Sequence, residues 1–207
     1  KEKVYNSIEL DLEKRLIKLP KLKWVKIKGY RNKESINGRI RSAVIRKVAG
    51  RYYVSILVEE DIYKPMFTPQ SIIGIDLGIK DLIVTSHNEK IKNIIKDRSK
   101  RLKGLQKSLA RCKAGSKNRY KIKLKIQRLW QKIRNARKHL IHDITNKLIK
   151  EHDIIVCENL DVKSMYKDHN IAKSLSSNPL GEIIRVLKYK AEWNNKKLIQ
   201  IDRYYPS

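Results

Sequence analysis

Gly74-Ile75-Asp76-Leu77-Gly78-Ile79-Lys80 is the stretch on which the reading of this chain turns. It follows Ile72-Ile73, so a lone carboxylate stands at the end of an apolar run and just ahead of a glycine. A second run, Asp81-Leu82-Ile83-Val84-Thr85-Ser86, returns after a hairpin-like separation. Much later, Ile154-Ile155-Val156-Cys157 delivers another acid, Glu158, where a strand yields to a loop. Two carboxylates at the ends of apolar strands are the first half of a divalent-metal phosphodiester site, provided the two strands neighbour one another. Asp76 is expected at or near the covered centre of a sheet, where an isolated carboxylate is costly unless a metal, a cation or a set of hydrogen bonds compensates it. The structural alternative is an Asp held at a hairpin turn by backbone donors or by Lys80. Gly78 supplies turn conformations or a close approach.

The rest of the composition says what kind of partner such a site would serve. A chain of 207 residues with 41% hydrophobic content can bury one core of ordinary size, with room for a smaller appended domain. Its 49 Lys and Arg against 21 Asp and Glu leave a formal charge of +28, a field that favours a polyanion, with nucleic acid the first candidate. No run of about 18 apolar residues offers a membrane span. Cys112 and Cys157 support neither a disulfide framework nor a zinc cluster, which points to a reducing compartment. The chain begins at Lys1 with no initiator Met or signal-peptide core, and its termini read as those of a fragment or a processed chain. No phosphate-binding P-loop suggests an ATPase.

The first 70 residues alternate in short strand-like runs: Lys14 to Leu19, Trp24 to Ile27, Ile36 to Val48 and Arg51 to Val58, with Pro20, Gly29, Gly38 and Gly50 between them. They predict a small antiparallel barrel or sheet domain, left through Lys64-Pro65-Met66-Phe67-Thr68-Pro69. From Lys90 to Lys150 there are 22 Lys or Arg and only 2 Asp or Glu. Apolar residues at 122, 126, 129, 133, 136, 140, 144 and 148 predict a long amphipathic helix. A shorter helix across Arg98 to Cys112, set off by Ala114-Gly115-Ser116, would make a basic helical hairpin at about 97–150. A solvated surface is the plain reading of such a stretch, but the near absence of acids leaves its repulsion uncompensated and favours nucleic-acid contact. Lys26, Lys28, Lys80, Arg119, Lys123, Arg134, Arg137 and Lys138 are the candidate contacts. Beyond it, Asp153 to Cys157 reads as a buried strand, Pro179 to Trp193 as a helix and Lys197 to Ile201 as another strand, so the fold class is α/β with parallel later strands.

A third metal ligand is not evident. Asp81 fits a turn or cap, Asp161 a cap on a following helical turn, and Asp202 follows the last strand. His87, His139, His142, His152 and His169 form no compact ligand set, and His139 with His142 lacks the acid of a zinc-protease helix. Tyr52, Tyr53, Tyr204, Tyr205 and Trp24 could stack on bases, although strand and core packing explains the same enrichment.

Taken in order, Leu19 to Ile27, Gly74 to Lys80 with Thr85-Ser86, Val156-Cys157-Glu158-Asn159-Leu160, and Leu187 to Trp193 through Tyr204-Tyr205-Pro206-Ser207 resemble the TnpB/OrfB family of transposon-encoded proteins, relatives of the compact type V CRISPR nucleases. That resemblance implies a wedge-like β-barrel at 1–70 joined to a RuvC-like, RNase H-like nuclease domain at 71–207, working with a transposon-derived guide RNA to cleave DNA in a prokaryotic cytoplasm, at the nucleoid. Asp76 matches the first catalytic Asp and Glu158 the catalytic Glu, together holding Mg²⁺ or Mn²⁺. In the family pattern zinc cysteines and a final catalytic Asp follow a segment like Tyr204 to Ser207, so the chain is expected to be truncated at both ends and impaired by itself. A non-cleaving DNA- or RNA-binding regulator and an accessory transposition protein are the alternatives from other classes.

Overall fold

A computed structural model describes residues 8–28, 38–61, 67–165, 167, 175 and 178–202. The chain divides into two compact units, residues 1–63 and 64–207. In the first, β1 (Glu9–Asp11), β2 (Leu16–Leu19) and β3 (Lys23–Lys26) form an antiparallel three-stranded sheet, and β4 (Arg39–Val48) pairs with β5 (Arg51–Glu59) as a separate two-stranded ribbon. β2 alternates as a half-buried strand should, with Ile17 and Leu19 turned inward. The ribbon turns on Ala49 (φ 51°) and Gly50 (φ 78°), two consecutive positive φ values that match the right-handed twist of the flanking strands.

The expected barrel does not close among the described residues: these two sheets are not joined into one hydrogen-bonded cylinder. Period-two alternation identifies strands but not which strand bonds to which, and that pairing is what closure requires. The alternation also gives no sign of β1, a strand of only 3 residues. The expected linker at 64–69 and the start of the Ile36–Val48 run lie partly outside the described residues.

The second unit is mixed α/β. Its sheet has the order β10-β9-β6-β7-β8, built from β6 (Ile72–Asp76), β7 (Ile83–Thr85), β8 (Lys90–Ile91), β9 (Ile154–Glu158) and β10 (Lys197–Ile201). β6, β9 and β10 are parallel, whereas β7 and β8 return antiparallel. The helices are α1 (Ser99–Ala110), α2 (Lys117–Glu151), the single turn α3 (Val162–Met165) and α4 (Leu180–Trp193). One face of the sheet, through Ile73, Ile75, Ile155 and Cys157, belongs to a core with Leu140, Ile141, Ile144, Leu148 and Ile149 of α2 and Ile183, Val186, Leu187 and Ala191 of α4. Full burial of a side chain such as Leu187 contributes roughly 2 kcal/mol.

The long helix is as expected, with Ser116 as its N-cap accepting from the Arg119 amide at 3.2 Å. At about 1.5 Å per residue its 35 residues extend about 52 Å. Its apolar stripe is not buried evenly. From Leu140 onward it enters the core, while ahead of that Leu129 is buried, 122, 126 and 133 are half-buried and Ala136 is exposed, and α1 packs against α2. The basic hairpin therefore has a rooted C-terminal third and a lightly covered remainder.

Candidate metal and nucleic-acid site

Parallel pairing of β6 with β9 sets Ile72 against Ile154, Ile73 against Ile155, Gly74 against Val156 and Ile75 against Cys157. The next step of that register places Asp76 beside Glu158, on strands spaced about 4.8 Å apart. Side chains alternate between faces, so with Ile73, Ile75, Ile155 and Cys157 turned into the helices, Asp76 and Glu158 share the opposite face. Two carboxylates separated by 82 residues are thus brought together at the C-terminal ends of neighbouring parallel strands, the usual position of a site in an open α/β sheet.

The surroundings of Asp76 differ from the expectation. β6 is the central strand, but Asp76 is exposed, so it is not the isolated carboxylate in a covered sheet that the sequence suggested; Glu158, expected where a strand yields to a loop, ends β9 and is half-buried. Apolar neighbours in sequence mark the strand, and alternation then sends every second residue to the uncovered side. The desolvation cost that called for a metal is correspondingly small. The fit to a hard cation rests instead on donor chemistry: Mg²⁺ prefers carboxylate oxygens, commonly uses one or two of them, and keeps several waters. Among the described residues no group of three or more His, Cys, Asp or Glu converges to hold a metal.

The loop after Asp76 is tightly built. Leu77 and Leu82 are buried, the Gly78 amide donates to Leu82 O at 3.4 Å, and a Cβ on Gly78 would stand 2.8 Å from Asp81 O. The glycine is needed for that approach. Asp81 is half-buried, and its Oδ1 has no hydrogen-bond partner among the described residues. Asp161 caps α3 as expected, accepting from the Ser164 amide at 3.1 Å. Asp202 follows Ile201, which pairs with Glu158, and is exposed at the same end of the sheet. His139 lies 3.8 Å from Asp143 on the exposed helix surface.

The candidate nucleic-acid contacts separate by environment. Lys26 and Lys28 are exposed at the end of β3 and just beyond it, and Lys80 is exposed on the loop following Asp76. Lys123, Arg134 and Lys138 are exposed along α2, and Arg137 is half-buried. Arg119 instead supports the fold, because its guanidinium donates to Leu109 O at 3.0 Å and Cys112 O at 3.3 Å and so closes the corner between α1 and α2. Sequence reasoning missed Tyr120, Trp130 and Trp193, which are exposed aromatics on helices. On the first unit, Lys47 Nζ lies 5.4 Å from the centre of the exposed Tyr52 ring and Lys18 Nζ 6.0 Å from that of Trp24.

At the sheet's other end, Asp153 accepts from the Gln70 amide at 3.0 Å and the Ser71 amide at 3.2 Å, and pairs with Lys196 at 3.4 Å. These contacts, with the Gln70 amide foremost, hold its carboxyl below the ordinary value, while partial desolvation opposes them. They tie together the starts of β6, β9 and β10.

The chain belongs to the OrfB_IS605 family, described as "Probable transposase", whose model matches residues 54–169. A Streptomyces pristinaespiralis protein named "Putative RNA-guided DNA endonuclease" is 34% identical over 166 residues, 79% of this chain and 41% of that protein. The Escherichia coli (strain K12) protein "Putative RNA-guided DNA endonuclease InsQ" is 30% identical over 218 residues, 97% of this chain and 54% of that protein. The chain spans about half the length of the curated relatives it matches, or less. Among solved structures, one chain of a Cas12f ternary complex is similar at a TM-score of 0.48 and 18% identity, over 74% of this chain and 32% of that one.

Proposed function

We propose that this chain belongs to a transposon-associated, RNA-guided DNA endonuclease and carries two of its metal-binding carboxylates, Asp76 and Glu158. The observation that carries the reading is the parallel β6–β9 register up to Ile75 and Cys157, which supports Asp76 and Glu158, the next residue on each strand, as neighbours on the face opposite the helices. Family membership and the names of the relatives support the reaction class, and the +28 charge suits polyanionic partners. The corresponding architecture is an RNase H-like, RuvC-like nuclease domain over 71–207, with residues 1–70 as a wedge-like nucleic-acid-binding domain.

Asp76 and Glu158 would hold Mg²⁺, or Mn²⁺ in its place. When bound, the ion supplies Lewis-acid stabilisation of charge on the phosphodiester and a more acidic water. Gly74, two residues before Asp76 on the same face, adds no side chain beside the carboxylates. Lys80 and the exposed basic residues of α2 neutralise backbone phosphates. Guide RNA would supply target recognition by base pairing, leaving the protein to read shape and charge. Such a protein works at the nucleoid of a prokaryotic cytoplasm, and no helix among the described residues is long and apolar enough to cross a membrane.

The test is Asp76→Ala in the full-length protein assembled with RNA from its own element. DNA cleavage should fall by at least about a thousandfold, matching the loss of a principal metal-held contribution to the barrier, while RNA retention stays within about twofold. Undiminished cleavage would reject the assignment.

A further inference from the structure

Asn178 lies immediately before Pro179 and the start of α4, and only 8% of its surface is exposed. Its Nδ2 donates to Ile79 O at 2.7 Å, across 99 residues of sequence. Its Oδ1 accepts from Asn93 Nδ2 at 2.8 Å, and Asn93 Oδ1 accepts from the Ile95 amide at 3.0 Å. Two amide side chains thus link three segments: the loop that follows Asp76, the stretch that follows β8, and the N-terminal end of α4. Irregular backbone near a core needs partners that water does not supply, and a carboxamide can donate and accept at once.

The placement of that bond matters for the carboxylate pair. Ile79 is three residues beyond Asp76, in the short loop closed by the Gly78 to Leu82 hydrogen bond, and the flanking Leu77 and Leu82 are buried. Strand pairing fixes β6 as far as its end, but the chain beyond Asp76 leaves the sheet. Asn178 anchors the first carbonyl past the Gly78 turn to a helix that is itself packed in the core through Leu180 and Ile183.

We infer that Asn178 is a positioning residue for the metal site: through Ile79 O it fixes the loop that orients Asp76 toward Glu158. This rests on the reading of Asp76 and Glu158 as metal carboxylates. Nothing in the Ser177-Asn178-Pro179 sequence distinguishes it from an ordinary helix-start residue.

The experiment uses Mn²⁺ alone as the probe, titrated into the ¹⁵N-labelled chain, with paramagnetic broadening at Asp76 and Glu158 read by NMR and thermal melting recorded in parallel. Wild type should broaden at both residues. Asn178→Ala, and Asn178→Asp, which keeps the shape but cannot donate to Ile79 O when ionised, should each weaken Mn²⁺ binding about three- to tenfold. These affinities are compared well below the melting midpoint, where all three chains are folded. Lower melting with an unchanged Mn²⁺ dissociation constant in both variants would overturn the inference and leave Asn178 a structural tie. Wild-type chain that binds Mn²⁺ without broadening at Asp76 and Glu158, or not at all, would overturn the metal-site reading itself and the inference with it.

Discussion

Lys190 offers a sharp test of how the core carries a charge. It sits on the buried face of α4, 8% exposed, and its ammonium donates to His142 O at 3.1 Å, Thr145 Oγ1 at 2.6 Å and Asn146 Oδ1 at 2.6 Å. These three acceptors are neutral oxygens on α2, so they orient the charge without cancelling it. Burial lowers the Lys190 pKa from its ordinary value. Replacement by Met roughly conserves volume but takes one donor from each of three oxygens, of which His142 O keeps the Thr145 hydroxyl at 3.3 Å, while it removes the cost of a desolvated charge. The expected net loss at pH 7 is about 1–2 kcal/mol, against about 3 kcal/mol for Lys190→Ala, which also opens a cavity. The sign of the pH dependence follows from linkage. With a folded pKa below the unfolded one, the unfolded chain holds the proton more tightly, so native stability rises with pH through the interval between the two values. The penalty is fully present below the folded pKa and relieved as pH approaches the unfolded value near 10.5. Urea denaturation of wild type and Lys190→Met, followed by circular dichroism from pH 7 to 10.5, cancels the titration of the other lysines in the difference. The stability advantage of wild type should widen with pH, by no more than about 1.4 kcal/mol per unit. A difference that stays flat or shrinks would refute this account of Lys190.

Asp153 titrates with the opposite sign. Its carboxyl is held below the ordinary value, so the stability it contributes is present above pH 3.8 and lost as pH falls through the lowered folded value. Asp153→Asn should melt below wild type at pH 7, with the gap closing under acid; a pH-independent gap would show that the Gln70, Ser71 and Lys196 contacts do not depend on the charge. On α2, changing Lys123, Arg134 and Lys138 together to Gln should weaken RNA or DNA binding at low salt and reduce the slope of log K against log salt by about one for each phosphate that is no longer neutralised. An unchanged slope would assign those residues to a solvated face.

Much of the second unit could be read along the chain. The runs ending at Asp76 and Glu158, the break at Ala114-Gly115-Ser116, the long helix, and the final helix and strand each carry a local period, and local period follows from backbone geometry. Short pieces escaped: β1 and β8, at 3 and 2 residues, are too brief for any period to register. The apolar stripe of α2 looked uniform because sequence shows which face is apolar, not how much of its length another element covers. Lys190 illustrates the converse. It falls three residues after Leu187 and four after Val186, on the apolar stripe of α4, yet a lysine ordinarily signals solvent.

Charge, the helical and strand periods, and the two acids that terminate apolar runs are all written in the linear chain, since each depends on residues close together in it. Folding alone makes β6 and β9 neighbours in a register that aligns Asp76 with Glu158, turns both acids away from the helices, and brings Asn178 to the loop beyond Asp76. These are pairings between segments about 80 to 100 residues apart. Their geometry comes from the burial of one sheet face against α2 and α4, a cooperative packing choice that no local pattern encodes.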